Sequence, residues 1–146
     1  MSKLQIHGAF NTRTSRVIWM AMELGLDYDH NPIHYSDGST RTPEFLAINP
    51  NATLPAIVDG DLCLWESLAI NLYLANKHGG DLAPKDTAEQ GLALQWSFWA
   101  TSEVEMAALD ALKSRLSNGA IVLMDDFGRK EQLALAEALM EWWLVH

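Results

Sequence analysis

Residues 55–80, PAIVDGDLCLWESLAINLYLANKHGG, constrain the fold more tightly than any other stretch. Two short apolar runs flank Asp59-Gly60, and Asp-Gly supplies the positive φ that a tight hairpin turn needs. The second run passes at once into a helix-like segment that Gly79-Gly80 closes, glycine being the usual helix stop. Two antiparallel strands and one helix are therefore set into any fold this chain adopts.

The preceding residues supply their partners. LQIHGAF (4–10) places Leu4, Ile6 and Phe10 in a short strand with Gly8 near its end. TSRVIWMAMELGL sets Val17, Ile18, Ala21 and Leu24 at helical spacing, with Thr14 or Ser15 as N-cap and Gly25 as stop. DYDHNPIH (27–34) is a weaker strand interrupted by Pro32, which assigns it to a sheet edge. SDGSTRTPEFLAINP holds turn residues, then a short helix opened by Pro43. The order is βαβαββα, an α/β arrangement in which a strand–helix–strand unit and a hairpin share one mixed sheet with helices on its faces.

After residue 80 the pattern changes. DLAPKD (81–86) reads as a linker broken by Pro84, and Thr87 with Gln90 forms a capping box. A long helix follows, its stripe running through Leu92, Trp96, Trp99, Met106, Leu109, Leu112 and Leu116, with SNG at 117–119 as its end. IVLMDD is short and ambiguous, and FGRKEQLALAEALMEWWLVH reads as a last helix. The expected division is a domain over 1–80, a linker over 81–86 and an all-α region over 87–146. At 146 residues the chain can form one full domain, or a compact domain with a short second one.

Charge narrows the function classes. A net charge of −9 argues against nucleic acid, which requires a basic patch or stripe, and Arg13/Arg16 or Arg129/Lys130 are minimal as clusters. No apolar run approaches the ~20 residues that cross a bilayer, and the start lacks a secretory signal, so no membrane role and a cytoplasmic location are expected. The single cysteine, Cys63, allows no internal disulfide; its alternation with Leu62 and Leu64 puts it in core or on a sheet surface. The five histidines show no ligand spacing, so no metal is expected. Trp96 and Trp99 are most simply core residues.

Three places carry polar groups that packing alone does not require. Pro55 precedes the strand AIV and removes a ladder donor. A cis Leu54–Pro55 bond would aim the Leu54 N–H and C=O away from the sheet, where an extended peptide could pair with them as an added strand. Cis is a small minority of X–Pro bonds, so an ordinary trans proline is the plainer reading of these residues by themselves. Glu66-Ser67 opens the helix after the hairpin. Its unpaired N–H groups and partial positive charge suit a carboxylate, Ser67 adds a hydroxyl, and Glu66 suits an ammonium group. That set fits an α-amino-acid head; a capping serine with a dipole-complementing glutamate is the alternative. Finally, FNTRTSR (10–16) gathers the Asn11 amide and the hydroxyls of Thr12, Thr14 and Ser15, with no cysteine to exchange disulfides. Such donors can stabilise a ligand's thiolate. Lowering a thiol pKa by about two units corresponds to about 2.7 kcal/mol, and one hydrogen bond to a charged group contributes about 1.5–3 kcal/mol. One donor plus the helix terminus would suffice; plain capping is the alternative for those not facing a ligand.

Taken together and in this order, FNTRTSRVIW, PEFLAINPNATLPAIVDG and WESLAINLYLANKHG resemble the glutathione S-transferase family, a likeness that runs from residue 4 to about 115. The resemblance implies a thioredoxin-like domain followed by an all-helical one, normally in a homodimer. It implies a cis Leu54–Pro55 pairing with the cysteinyl backbone of glutathione, and Glu66 with Ser67 on the γ-glutamyl end. The reaction it implies is attack of glutathione's thiolate on a small hydrophobic electrophile, the chemistry of detoxification. The family usually sets Ser, Tyr or Cys at the thiol-activating point; here that place falls on Asn11, with Thr12 beside it, as catalytic donors. A Lys that often holds the glycyl carboxylate is replaced by Thr53, with Arg13 or Arg41 to compensate. The match fades after Leu116, which implies a shortened helical domain, and Trp142, Trp143 and Leu144 are expected to bury against the body or a dimer interface.

Overall fold

The computed structural model describes residues 3–110. Leu112, Leu116, the SNG stop, IVLMDD, the expected last helix and Trp142, Trp143 and Leu144 lie outside the described residues. Strand β1 (Leu4–His7) is followed by helix α1 (Thr14–Glu23), strand β2 (Tyr28–Asn31), two short 3-10 turns, helix α2 (Pro43–Ile48), the hairpin β3 (Ala56–Asp59) and β4 (Leu62–Trp65), and helix α3 (Ser67–His78). The expected βαβαββα order is present. The sheet runs β2-β1-β3-β4, with β1 parallel to β2 and antiparallel to β3. β2 is an edge strand, as expected, and ends at Asn31, just before Pro32.

Alternation along β1 explains the layering. Leu4 and Ile6 point into one face, where Val17, Ile18 and Ala21 of α1, Ile57 of β3, and Ile70 and Leu74 of α3 join them in the core. Each buried Leu, Ile or Val side chain there stabilises by about 1.5–3 kcal/mol. His7, one position on from Ile6, serves the opposite face and meets Phe45 of α2. The far end of the hairpin is latched to α3: Tyr73 Oη donates to Asp59 Oδ2 at 2.9 Å, and Lys77 Nζ pairs with the same oxygen.

Local details differ from the sequence expectation in three places. The hairpin loop is Gly60-Asp61, with Asp59 still paired to Leu62; Gly60 alone carries the positive φ, 65°. Helix α1 is not capped by Thr14 or Ser15. Thr14 is its first residue and wholly buried, and no side chain caps the helix at Arg13. The physical reason is that the Thr14 hydroxyl is turned inward, 2.8 Å from Thr12 Oγ1.

The third difference is at helix α4 (Thr87–Trp99), which begins one capping register early. Asp86 Oδ1 accepts from Glu89 N at 2.8 Å while Glu89 Oε2 accepts from Lys85 N at 2.7 Å, in place of Thr87 with Gln90. A π-helical turn, Ala100–Val104, follows, and helical backbone continues over 105–110. The chain parts into units 1–97 and 98–146. Trp96 and Trp99, expected in a core, are 47% and 40% exposed. Helix α4 is apolar on more than one side, and such a helix needs several neighbours to bury it. Among the described residues no helix is long and apolar enough to cross a membrane.

Candidate active site

The three polar segments singled out in the sequence come to one end of the sheet. They are joined there by close contacts. Gly8, just past β1, adopts φ +131°, and a methyl group in place of its hydrogen would fall 2.0 Å from Thr14 Oγ1 and 3.3 Å from Leu54 Cβ. The β1–α1 turn and the Leu54–Pro55 turn are thus packed against each other with glycine as the only side chain that fits. Across α1, Arg16 Nη1 donates to Ser67 Oγ at 3.3 Å, and Asn71 Nδ2 donates to the Arg16 carbonyl at 3.4 Å, tying the start of α1 to the start of α3.

Leu54–Pro55 is cis. Pro55 is buried at the head of β3, and the Leu54 N–H and C=O have no hydrogen-bond partner among the described residues. An outward-facing donor and acceptor on one residue is the edge that an extended peptide can join. The loop that leads to it is held by Asn49, which is fully buried. Its amide donates to the Thr53 carbonyl at 2.8 Å and to Thr53 Oγ1 at 3.1 Å, while its Oδ1 accepts from Asn51 N at 3.0 Å. Thr53 is exposed, beside the turn.

At α3, Glu66 occupies the N-cap position with φ 73° and ψ 114°, and its side chain makes no capping hydrogen bond. The Glu66 carboxylate is exposed, and Ser67 behind it is 4% exposed. Because Ser67 Oγ accepts from Arg16, its own hydrogen remains available to a ligand, alongside the uncapped N–H groups of the first turn. The Arg16 guanidinium adds a full positive charge to the helix's partial one, which favours a carboxylate at this point.

The β1–α1 turn separates the two candidate donors. Thr12 Oγ1 donates to the Ala9 carbonyl at 2.7 Å, and accepts from Thr14 N at 3.2 Å. Its single hydrogen is committed. Asn11 is exposed, with no partner for its amide among the described residues. Arg13 is exposed at the N-cap position of α1, and Arg41 is exposed in the turn before α2. Among the described residues no group of His, Cys, Asp or Glu could hold a metal ion. Cys63 is exposed on β4, a sheet-surface position.

A family model for the glutathione S-transferase N-terminal domain matches residues 2–76. The chain belongs to the glutathione S-transferase family. A glutathione S-transferase of Silene vulgaris is 32% identical over 140 residues, covering 92% of this chain and 62% of that one. The crystal structure of a theta class glutathione S-transferase from Xanthomonas axonopodis pv. citri, with glutathione bound, is 38% identical with a TM-score of 0.65, over 70% of this chain and 50% of that one. Yeast Ure2p in complex with glutathione is 32% identical with a TM-score of 0.64, over 69% and 49%. The chain spans about half the length of most of the relatives it matches.

Within this glutathione S-transferase fold, sequence reasoning overlooked Gly8, Arg16 and Asn49. Gly8 had a signal, a glycine where a strand meets a helix. Arg16 and Asn49 act through partners 51 and four residues away, and only the latter spacing could have suggested a local staple.

Proposed function

We propose that this chain binds glutathione in the cradle formed by Asn11, Leu54–Pro55 and Glu66-Ser67, and presents its thiolate to a small hydrophobic electrophile. The observation that carries the reading is the convergence on one sheet end of a Leu54 backbone unpaired among the described residues and an α3 that Glu66 does not cap, with Glu66 exposed and Ser67 buried. The Leu54 N–H and C=O pair with the cysteinyl unit; Ser67 and the α3 terminus take the γ-glutamyl carboxylate; Glu66 takes its ammonium. Thr53 and Arg13 line the glycyl side. The thiol releases its proton to solvent, Asn11 donates to the thiolate, and sulfur then forms a bond to the electrophilic carbon as the leaving group departs with its electron pair. Thr12 supports the turn rather than the sulfur, because its hydrogen is given to Ala9. Orientation and a lowered thiol pKa are the contributions asked of the protein. A cytoplasmic homodimer, with a glutathione domain over 1–80, a linker over 81–86 and helices from 87, accompanies this reading.

Calorimetric titration with glutathione at neutral pH tests it. Binding between about 1 μM and 1 mM, weakened by Glu66→Ala, together with turnover of an electrophile panel that Asn11→Ala abolishes, is the expected result. No heat from folded protein would overturn the reading. A second reading is a binding module without turnover. It is favoured by an amide rather than a hydroxyl or thiol at the sulfur position, and by likeness to Ure2p, whose structure is described as a nitrogen regulation fragment. Glutathione binding with no turnover of any electrophile would select it.

A further inference from the structure

Helices α1 and α3 pack against each other, and Val17, Ile18 and Ala21 of the first share one apolar core with Ile70 and Leu74 of the second. Asn71 sets an amide between them. Its Nδ2 donates to the Arg16 carbonyl at 3.4 Å, while its Oδ1 is buried and has no hydrogen-bond partner among the described residues. An acceptor shut away from water and left unbonded destabilises the fold, and an apolar side chain at this place would not.

The bond from Nδ2 does not offset that cost. The Arg16 carbonyl lies within α1 (Thr14–Glu23), where the N–H four residues on is its regular partner. Without Asn71 it would still be satisfied. Stability therefore gives no reason for the amide, and polar groups kept against stability are found at functional sites.

The reason lies in the residue that the bond reaches. Arg16 Nη1 donates to Ser67 Oγ at 3.3 Å, and Ser67 stands four residues before Asn71, on the same face of α3. Arg16 is thus tied to that face twice, its guanidinium to Ser67 and its backbone to Asn71. A guanidinium on a long, rotamer-rich stem is aimed only as well as its backbone is held. We propose that Asn71 is a positioning residue, which fixes the Arg16 backbone so that the guanidinium meets Ser67 and a carboxylate bound at the start of α3. The proposal rests on the glutathione reading above and assigns Asn71 to the γ-glutamyl end of that ligand, acting through Arg16 rather than by contact.

Two variants of the full chain test it, titrated calorimetrically with glutathione and unfolded in urea. Asn71→Leu fills the space of the amide, and Asn71→Ala leaves it open with the best helix former; both withdraw the donor and the orphaned acceptor. Each should weaken glutathione binding about two- to tenfold, one hydrogen bond's worth. The unfolding midpoint of Asn71→Leu should lie at or above the native one. In an Arg16→Met background the same substitutions should alter affinity by less than about 1.5-fold, because the group they act through is gone. Native affinity in either variant, or equal losses with and without the Arg16 guanidinium, would overturn the proposal while leaving the glutathione reading in place. So would a midpoint lowered in both variants, the mark of an amide that only seats the two helices. Failure of the native chain to bind glutathione would overturn both.

Discussion

Replacing Gly8 by alanine tests whether the two turns of the site are as tightly joined as they look. The residue adopts φ +131°, a conformation that costs an L-residue about 1–3 kcal/mol. The new methyl would meet Thr14 Oγ1 at 2.0 Å, Thr14 Cβ at 3.1 Å and Leu54 Cβ at 3.3 Å. Thr14 cannot swing aside, since it is fully buried and its hydroxyl is bonded to Thr12. Forced overpacking of this kind costs a further 1–3 kcal/mol or so, for a total of about 2–6 kcal/mol. Against a typical stability of about 5–15 kcal/mol, that is a large fraction. In urea unfolding, with a slope of about 1–3 kcal/mol/M, the midpoint should fall by at least about 0.7 M. The double variant Gly8→Ala/Thr14→Ala isolates the steric part: deleting Oγ1 relieves the worst contact but not the backbone strain. The two changes should therefore be non-additive by about 1–3 kcal/mol, the double variant being more stable than the sum predicts. A Gly8→Ala midpoint unchanged from the native one, or strict additivity with Thr14→Ala, would refute the geometry.

Asn49→Ala removes three hydrogen bonds at a fully buried position and should lower stability by about 2–4 kcal/mol in thermal or chemical unfolding, with glutathione affinity falling alongside as Leu54 loosens. A change under about 0.5 kcal/mol would mean the loop holds itself. Arg16→Met keeps the aliphatic stem but withdraws the donor to Ser67, and calorimetry should record glutathione binding two- to tenfold or so weaker with stability nearly intact. Unaltered affinity would detach Arg16 from the site. His7 gives a pH signature: burial lowers its folded pKa, so the unfolded chain takes up the proton first. The neutral ring's contribution is whole above about pH 6.5 and is lost as pH falls from there through the lower folded value. A His7→Gln variant should show a flatter stability profile in that acid window, and an equally steep one would count against the assignment.

The hairpin and α3 were legible because their signals are local: an Asp-Gly between apolar runs, a double glycine after a helix. Pro32 pointed to an edge position, and β2 does lie at the edge, stopping at Asn31 one residue before the proline. The helix starts were harder. DTAEQ contains both an Asp-to-Glu and a Thr-to-Gln capping pattern in overlapping register, and the side chains chose the acidic pair. Thr14 has the composition of a cap, yet its hydroxyl is spent inward beside Gly8, a contact that depends on how the turn between them folds. Of the site, Pro55, Glu66 and Ser67 were visible as residue types at odd places, but each alone favoured a structural explanation. What decided between them was spatial convergence, carried by Arg16 across to α3 and by Gly8 against Leu54. The aromatic stripe of α4 shows the opposite limit, for an apolar helix tells of burial without telling what does the burying.

The cradle is assembled from stretches near residues 8–16, 49–55 and 66–71, each belonging to a different turn of the chain, and none holds a full set of polar contacts. A ligand spanning them has no affinity for the unfolded chain, so its binding energy becomes folding energy. At a hundredfold excess over its dissociation constant such a ligand adds about 2.7 kcal/mol to the stability of the domain. The protein would then be sturdier when its small partner is plentiful and more easily unfolded when that partner is scarce. Its lifetime would follow the concentration of a metabolite rather than its own sequence alone.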